Sequence, residues 1–416
     1  MMILLLLAGL GHAYLWVALV NRSHAVGWSQ RLVHALTLVM FALAAGIPVA
    51  MGWTVYREVM ERGGGNLFAL PWPATGYLVA CWVGGVWALG QWLGRLALDL
   101  RRPNARPRSR VWRLEPPPDA TSNLDPPEAG SVPSQGAAPR LQEASFVARL
   151  PLNESLSLEE VEHRVELARL PRRLSGLTIL HLSDVHMTGL IGPWYFAEVV
   201  RRCNRREPDL VAITGDLVDE ETCIDWIPET LGRLRARWGV YFILGNHDRR
   251  VDSRRLRAAM VKQGFVDLGG RVVELHLRGT RLLLAGNEVP WFSPPADFHG
   301  APAVSREGGP PRIALAHSPD QLPWARRNEV DLLLVGHTHG GQVCLPLIGP
   351  ILCPCVRGVR YTRGIYAAPP TVMHVSKGLS AEIPIRFGAL PEVVTLTLYP
   401  WLDPGDAANV FASGPA

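Results

Sequence analysis

Five short apolar runs in the second half of the chain each end in side chains that hold protons or metal ions: LTILHLSDVH, DLVAITGDLVD, VYFILGNHD, RIALAHSPD and DLLLVGHTHGG. A continuous aliphatic run closed by a glycine or a small polar residue is the pattern of a strand covered on both faces as it leaves its sheet. Packing alone gives such a strand no reason to end in Asp, Asn or His. Ligands of open α/β sheets, however, gather at the carboxyl ends of the strands. The five ends supply Asp184 and His186, Asp216, Asn246 and His247, His317, and the pair His337 and His339. In extended backbone, residues two apart project to the same side, which aims His337 and His339 at one small volume. Taken alone, that HxH is equally compatible with two unrelated loop histidines, so the reading depends on the other four ends.

The segments between these runs set the fold class. WYFAEVVRRCNRR places Phe196, Val199, Val200 and Cys203 on one helical face. A second helix is expected through Ile227, Leu231 and Leu234, and a third over SRRLRAAMVKQG. Beyond Gly269 the rhythm changes to strand after strand: VVELHL, RLLLAGN, RIALAHS, DLLLVGH, TVMHVSKG and EVVTLTLYP. Alternating strands and helices followed by a strand-rich half predict two packed sheets with helices outside, an α/β class domain with a four-layer α/β/β/α sandwich over residues 144–402. Residues 403–416 are expected to form a flexible tail.

The first quarter has a different solvent. Residues 1–20, 32–56 and 67–93 contain no Asp, Glu, Lys or Arg, and each is long enough for the roughly 20 residues that cross a bilayer. Three transmembrane helices are therefore expected in a membrane domain over 1–100. The first run lacks the basic start and small-residue cleavage site of a signal peptide, so it is expected to be retained. Arg22 and Arg31 flank the first loop, while in the second Arg57 and Arg62 are balanced by Glu58 and Glu61. A cluster of Arg95, Arg101, Arg102, Arg106, Arg108 and Arg110 follows the third run. Positive-inside counting then puts the amino terminus outside and the large domain in the cytoplasm, as a multi-pass protein of a bacterial inner membrane. Residues 101–143 are rich in Arg, Pro and small polar residues and read as a linker. The net charge of +5 is largely that juxtamembrane cluster, suited to anionic headgroups. No basic stripe with interleaved aromatics points to nucleic acid. The six cysteines show no disulfide or structural-zinc spacing.

The ordered set DxH, GD, GNHD, H and GHxH, with GDLVD, LGNHD, AHSPD and GHTHGGQVCLP around it, resembles the calcineurin-like metallophosphoesterase superfamily over residues 165–400, and within it the membrane-associated bacterial YkuE/YaeI-like branch. The resemblance implies a dinuclear centre: Asp184, His186 and His339 on one ion, Asn246, His317 and His337 on the other, and Asp216 between them. It also implies that His247 stabilises the transition state or protonates the leaving group, with Asp248 orienting it. Asp248 as an ordinary loop cap is the alternative. An all-nitrogen and oxygen donor set favours two divalent ions drawn from Mn, Fe or Zn. Two cations neutralise a phosphoester and lower the pKa of a bridging water.

His181 is expected to be a buried structural histidine and Asp219 a turn or capping residue, while Arg249 and Arg250 could touch a substrate phosphate. Where relatives often carry an acidic pair after RLLLAG, this chain has NEVPWFSPP, so Trp291 and Phe292 are candidates for an apolar wall beside the metals. The expected function is a membrane-anchored phosphoesterase of phosphodiester or pyrophosphate bonds, with a substrate that is lipid-linked, nucleotide-linked or otherwise amphiphilic. The alternatives are a metal-dependent nuclease, or a silent scaffold with the same fold.

Overall fold

The computed structural model describes residues 2–26, 28, 30–62, 72–100, 107–115, 144–300, 309–346, 348–350 and 353–401. They divide into two compact units, one of residues 1–106 with 354–358 and the other of 107–353 with 359–416.

The first unit contains three long helices, α1 (Met2–Ala25), α2 (Gln30–Arg62) and α3 (Trp72–Leu100). Among the described residues, two stretches, Ile3–Ala25 and Arg31–Thr54, are helices long and apolar enough to cross a membrane. Of the third expected span, residues 72–93 lie in α3, which is not one of those two. Close packing of α1 on α3 depends on glycine: a Cβ at Gly11 would lie 1.6 Å from the Cys81 carbonyl oxygen. The polar groups between the helices pair internally, with His12 Nδ1 2.7 Å from the Tyr77 hydroxyl and Trp16 Nε1 donating to it at 2.8 Å.

The second unit is built on two sheets. Its strands and helices in chain order are β1 (Arg108–Arg113), β2 (Ser157–Leu167), β3 (Leu177–Leu182), α4 (Pro193–Asn204), β4 (Leu210–Thr214), β5 (Val240–Ile243), α5 (Ser253–Lys262), β6 (Val266–Asp267), β7 (Arg271–Leu277), β8 (Thr280–Asn287), β9 (Arg312–Ala316), α6 (Leu322–Arg327), β10 (Leu332–Val335), the small pair β11 (Cys344–Leu345) and β12 (Gly349–Pro350), β13 (Gly364–Ala368), β14 (Thr371–Val375) and β15 (Glu392–Pro400). One sheet has the order β1-β2-β15-β3-β4-β5-β6 and the other β13-β14-β10-β9-β8-β7. Strands β3 to β6 run parallel, as do β8, β9, β10 and β14.

Alternate residues sort each strand between two cores. Ile179, Ala212, Ile243, Leu284, Leu315 and Leu334 fill the space between the sheets. Leu180, Ile213 and Phe242 turn outward against Phe196, Val199, Val200 and Met260 of α4 and α5, while Leu333, Ala314 and Val335 meet Leu322 and Ala325 of α6. The expected α/β/β/α sandwich is the observed one.

Three expectations change in the structure. The helix anticipated through Ile227 and Leu231 is instead two 3-10 turns, Glu221–Glu229 and Leu231–Arg233, because Pro228 removes a donor and Gly232 weakens any continuation. The last strand, EVVTLTLYP, belongs to the first sheet rather than the second, parallel to β2 and antiparallel to β3. Residues 108–113, inside the expected linker, form an edge strand paired antiparallel with β2. Its arginine-rich RSRVWR is exposed throughout, which suits an edge that must not recruit another strand. Residues 101–106 and 116–143 of the expected linker, and the expected tail, lie outside the described residues.

Candidate metal centre

All five strand ends arrive at one place. Asp184, His186, Asp216, Asn246, His317 and His337 are each no more than 9% exposed. The chain reaches this arrangement by leaving its strands sharply: Asp184, His186, Asp216, His337 and His339 all have positive φ, from 44° to 69°. Backbone of this kind costs about 1–3 kcal/mol per residue and persists only where its surroundings over-determine it. It also corrects the expectation for the HxH pair. His337 and His339 each turn into the site in a left-handed conformation, not from an extended backbone, and their ligand atoms fall in separate clusters, His337 with Asp216 and His317, His339 with Asp184 and His186.

Two glycines allow the elements to close. A Cβ at Gly336 would fall 1.8 Å from Ser183 Oγ and 2.2 Å from Asp184 Oδ2, and one at Gly245 would fall 2.3 Å from Asp216 Oδ1. The main chain then fixes the acids: Asp184 accepts from the His337 N–H at 3.0 Å, and Asp216 Oδ1 from the His247 N–H at 2.8 Å.

The histidines are oriented from behind. His317 Nδ1 donates to the Thr214 carbonyl at 2.7 Å, His339 Nδ1 to the Ser380 carbonyl at 3.1 Å, and His186 Nδ1 to Asp219 Oδ2 at 2.7 Å. Each bond spends Nδ1 and leaves Nε2 to face the site, the usual arrangement behind metal-binding imidazoles. His186 Nε2 lies 3.3 Å from His339 Nε2, and His317 Nε2 lies 3.0 Å from Asn246 Oδ1. The donor atoms of Asp184, His186 and His339 fall within 4.8 Å of one another, as do those of Asp216, His317 and His337, and of His186, Asp216 and His247. Asp216 sits between the groups. Its Oδ2 is buried without a hydrogen-bond partner, 3.1 Å from His317 Nε2 and 3.6 Å from His186 Nε2.

A buried carboxylate oxygen faced only by imidazole nitrogens is satisfied when those rings are protonated or when a divalent cation takes the protons' place. The donor set, carboxylate, amide and imidazole without thiolate, suits Mn, Fe or Zn. Electrostatics follow from the crowding. Burial disfavours the charged form of His186, yet the adjacent Asp219 carboxylate outweighs it and raises the pKa to about 9. His317 is likewise raised to about 9, with Asp216 outweighing burial. His339 is driven well below the ordinary range by burial and by His186. Burial raises the Asp184 carboxyl. Asp216 stays well below the usual range because His317 and His247 outweigh its burial.

The sequence reading misassigned two acids. Asp248 does not touch His247; its carboxylate accepts from the backbone of Leu217, Val218 and Gly245 at 2.8–3.1 Å, clamping two ligand-bearing loops together. Burial and the nearby Asp216 raise its pKa to about 7. Asp219, expected to be a cap, takes the orienting position instead: Oδ2 holds His186 and Oδ1 accepts from His247 Nδ1 at 2.5 Å. Its three-residue spacing from Asp216 within GDLVD was the available signal. His181 is buried as expected, 2.9 Å from both His374 Nδ1 and Thr214 Oγ1. Trp291 packs its ring 5.2 Å from that of His317 and 5.1 Å from that of His337, while Phe292 lies against the outer core of the first sheet. Arg250 bridges Asp219 and Glu382 at 3.2 and 2.8 Å, and Arg249 is exposed.

Arg386 had no signal in the sequence. It is 1% exposed, donates to the carbonyls of Lys377, Ala389 and Ser380, and reaches His339 Nδ1 at 3.3 Å. A guanidinium buried among carbonyls fixes the loop that backs His339.

Known proteins carry the same pattern. The sequence profile of the Calcineurin-like phosphoesterase family matches residues 177–341. The chain is 31% identical over 248 residues to the metallophosphoesterase YkuE of Bacillus subtilis (strain 168), covering 58% of this chain and 85% of that protein. It is 28% identical over 245 residues to the phosphodiesterase YaeI of Escherichia coli (strain K12), covering 58% and 88%. A transmembrane protein with metallophosphoesterase domain from Bos taurus is 31% identical over 252 residues, covering 56% of this chain and 55% of that one.

Proposed function

The chain belongs to the calcineurin-like metallophosphoesterase family and is a phosphoester hydrolase, and from that premise we propose that it is a membrane-anchored, dinuclear-metal phosphodiesterase. The observation that carries the dinuclear reading is Asp216 Oδ2, buried and without a hydrogen bond between His186 Nε2 and His317 Nε2. In this reading Asp184, His186 and His339 hold one divalent ion, Asn246, His317 and His337 the other, and Asp216 serves both. Bound divalent ions of Mn, Fe or Zn supply charge neutralisation to the phosphoester and acidity to a water.

The protein's own groups then have separate tasks. The hydrogen bonds at Nδ1 of His186, His317 and His339 hold those rings so that no reorientation is needed when substrate arrives. His247 donates its Nδ1 proton to Asp219, which fixes the ring and leaves Nε2 to face the departing oxygen as the proton donor. Asp248 keeps the Asp216 and Asn246 loops in register through three backbone N–H bonds. Trp291 closes one wall with an apolar face against His317 and His337, which excludes water from that side.

Diester chemistry is supported by the relative named a phosphodiesterase. Anchoring is supported by two helices long and apolar enough to cross a bilayer and by a relative named a transmembrane protein. The arginine count supports a cytoplasmic hydrolase domain, and an amphiphilic phosphodiester suits both the anchor and the Trp291 wall. Hydrolysis of bis-p-nitrophenyl phosphate by the detergent-purified chain tests the proposal. Turnover should require Mn²⁺, stop on chelation, and be lost in Asp216→Asn; turnover unchanged by chelation would overturn the metal mechanism.

A further inference from the structure

Beside the metal centre the hydrolase domain exposes a group of large apolar side chains. Phe146 is 79% exposed and Leu152 81%, and Leu150, Leu190, Val343, Ile383 and Ile385 are also exposed. These residues come from four separated segments that the backbone ties into one surface. The Ser145 N–H donates to the Leu190 carbonyl at 2.7 Å, the Asn153 side-chain amide donates to the Val147 and Pro384 carbonyls at 2.7 Å, and that of Gln342 donates to the Ile383 carbonyl at 3.2 Å. Asn153 is buried, so the two most exposed loops are held by a fixed polar lock. The surface adjoins the site: Ser380, which accepts from His339, and Glu382, which pairs with Arg250, lie three residues and one residue before Ile383.

Soluble proteins rarely leave large apolar groups clustered on a rigid surface without a use. The charges among them narrow the choice of occupant. Arg149 and Arg363 are exposed, whereas Glu382 is paired with Arg250 and Glu154 accepts from the Gly388 N–H. Apolar side chains with two exposed arginines against one acid that has no cationic partner among the described residues, Glu154, leave an excess of positive charge that matches an anionic bilayer surface, where the apolar groups enter the acyl boundary and the arginines meet headgroup phosphates. The same chain carries two helices long and apolar enough to cross a membrane.

We propose that the Phe146, Leu152, Ile383 and Ile385 face is a docking surface for an anionic lipid bilayer, which brings the metal centre to phosphodiesters at the level of the headgroups. The inference deepens the phosphodiesterase reading and rests on it for the substrate, but its primary test does not use activity.

The full chain is reconstituted into nanodiscs of phosphatidylcholine and phosphatidylglycerol, with a nitroxide introduced by Leu152→Cys, Ile383→Cys or, as a control on the exposed β7 edge, His276→Cys. All six native cysteines are buried. Labels at 152 and 383 should be more accessible to oxygen than to an aqueous nickel complex, and the label at 276 the reverse. Aqueous behaviour at 152 and 383 overturns the proposal, as does shielding from both reagents, which would indicate a protein partner. In a second arm, Leu152→Ser with Ile383→Ser should lower turnover of a nanodisc-borne lipid phosphodiester about tenfold or more, with bis-p-nitrophenyl phosphate unaffected. Equal loss on both substrates counts against the docking role. Failure of the unmodified protein on both substrates would sink the phosphodiesterase reading and leave the label result standing.

Discussion

Metal binding at this centre should be strongly proton-linked, and the size of the linkage follows from the site. Without metal, His186 and His317 each have a pKa raised to about 9 by Asp219 and Asp216 respectively, so at neutral pH both rings carry a proton on the nitrogen that would have to ligate. Metal ligation needs the neutral imidazole. Each histidine therefore releases a proton on binding, one for each ion and about two for the pair. At pH 7 the two groups sit about two units below their pKa, and at roughly 1.4 kcal/mol per unit each costs about 3 kcal/mol. Apparent affinity should thus rise by about tenfold per pH unit for each ion, and about a hundredfold for the pair, as pH approaches 9. His339, already held neutral by burial and His186, adds nothing to this count. The assay is calorimetric titration of the chelated protein with Mn²⁺ at pH 7 in buffers of differing ionisation enthalpy, which reads proton release directly. Release near zero, or an affinity flat from about pH 6.5 to 8.5, would refute the reasoning from Asp216 and Asp219.

Other outcomes test the remaining parts. The chelated protein should lose thermal stability with rising pH: because His186 and His317 are raised above the unfolded value of 6.5, their contribution is complete below pH 6.5 and disappears as pH passes through about 9. A Tm rising over that interval would contradict it. Asp219→Asn should weaken metal binding or turnover by about 10–100-fold, since one carboxylate orients both His186 and His247; a twofold change would return Asp219 to a capping role. Gly245→Ala puts a Cβ 2.3 Å from Asp216 Oδ1 and 2.7 Å from His317 Cε1, so metal binding should be abolished while circular dichroism still reports a folded protein, and retained binding would mean the loop can yield. Arg386→Met removes the donor to the Lys377, Ala389 and Ser380 carbonyls and should destabilise by about 1–3 kcal/mol or more, measured by denaturant titration, with no loss marking the loop as self-supporting.

Periodicity determined the parts of this protein that depend on local pattern. Unbroken aliphatic runs such as DLLLV can only be strands covered on both faces, so the sandwich and its two cores were legible, and the polar residues ending those runs had to meet at one end of the sheets. Where a single residue type overrides the pattern, the reading failed: Pro228 and Gly232 turned an expected helix into 3-10 turns. Three features were decided only by tertiary structure. EVVTLTLYP pairs equally well with either sheet by its pattern, and only the fold places it between β2 and β3. Asp248 and Asp219 are both short acids beside a ligand loop, and which one reaches His247 depends on how that loop crosses its neighbour. Arg386 gained its position because a loop distant in sequence closes behind His339. Sequence pattern fixes which side chains a strand delivers; the partner of each delivered group is set by packing between segments that have no local relation.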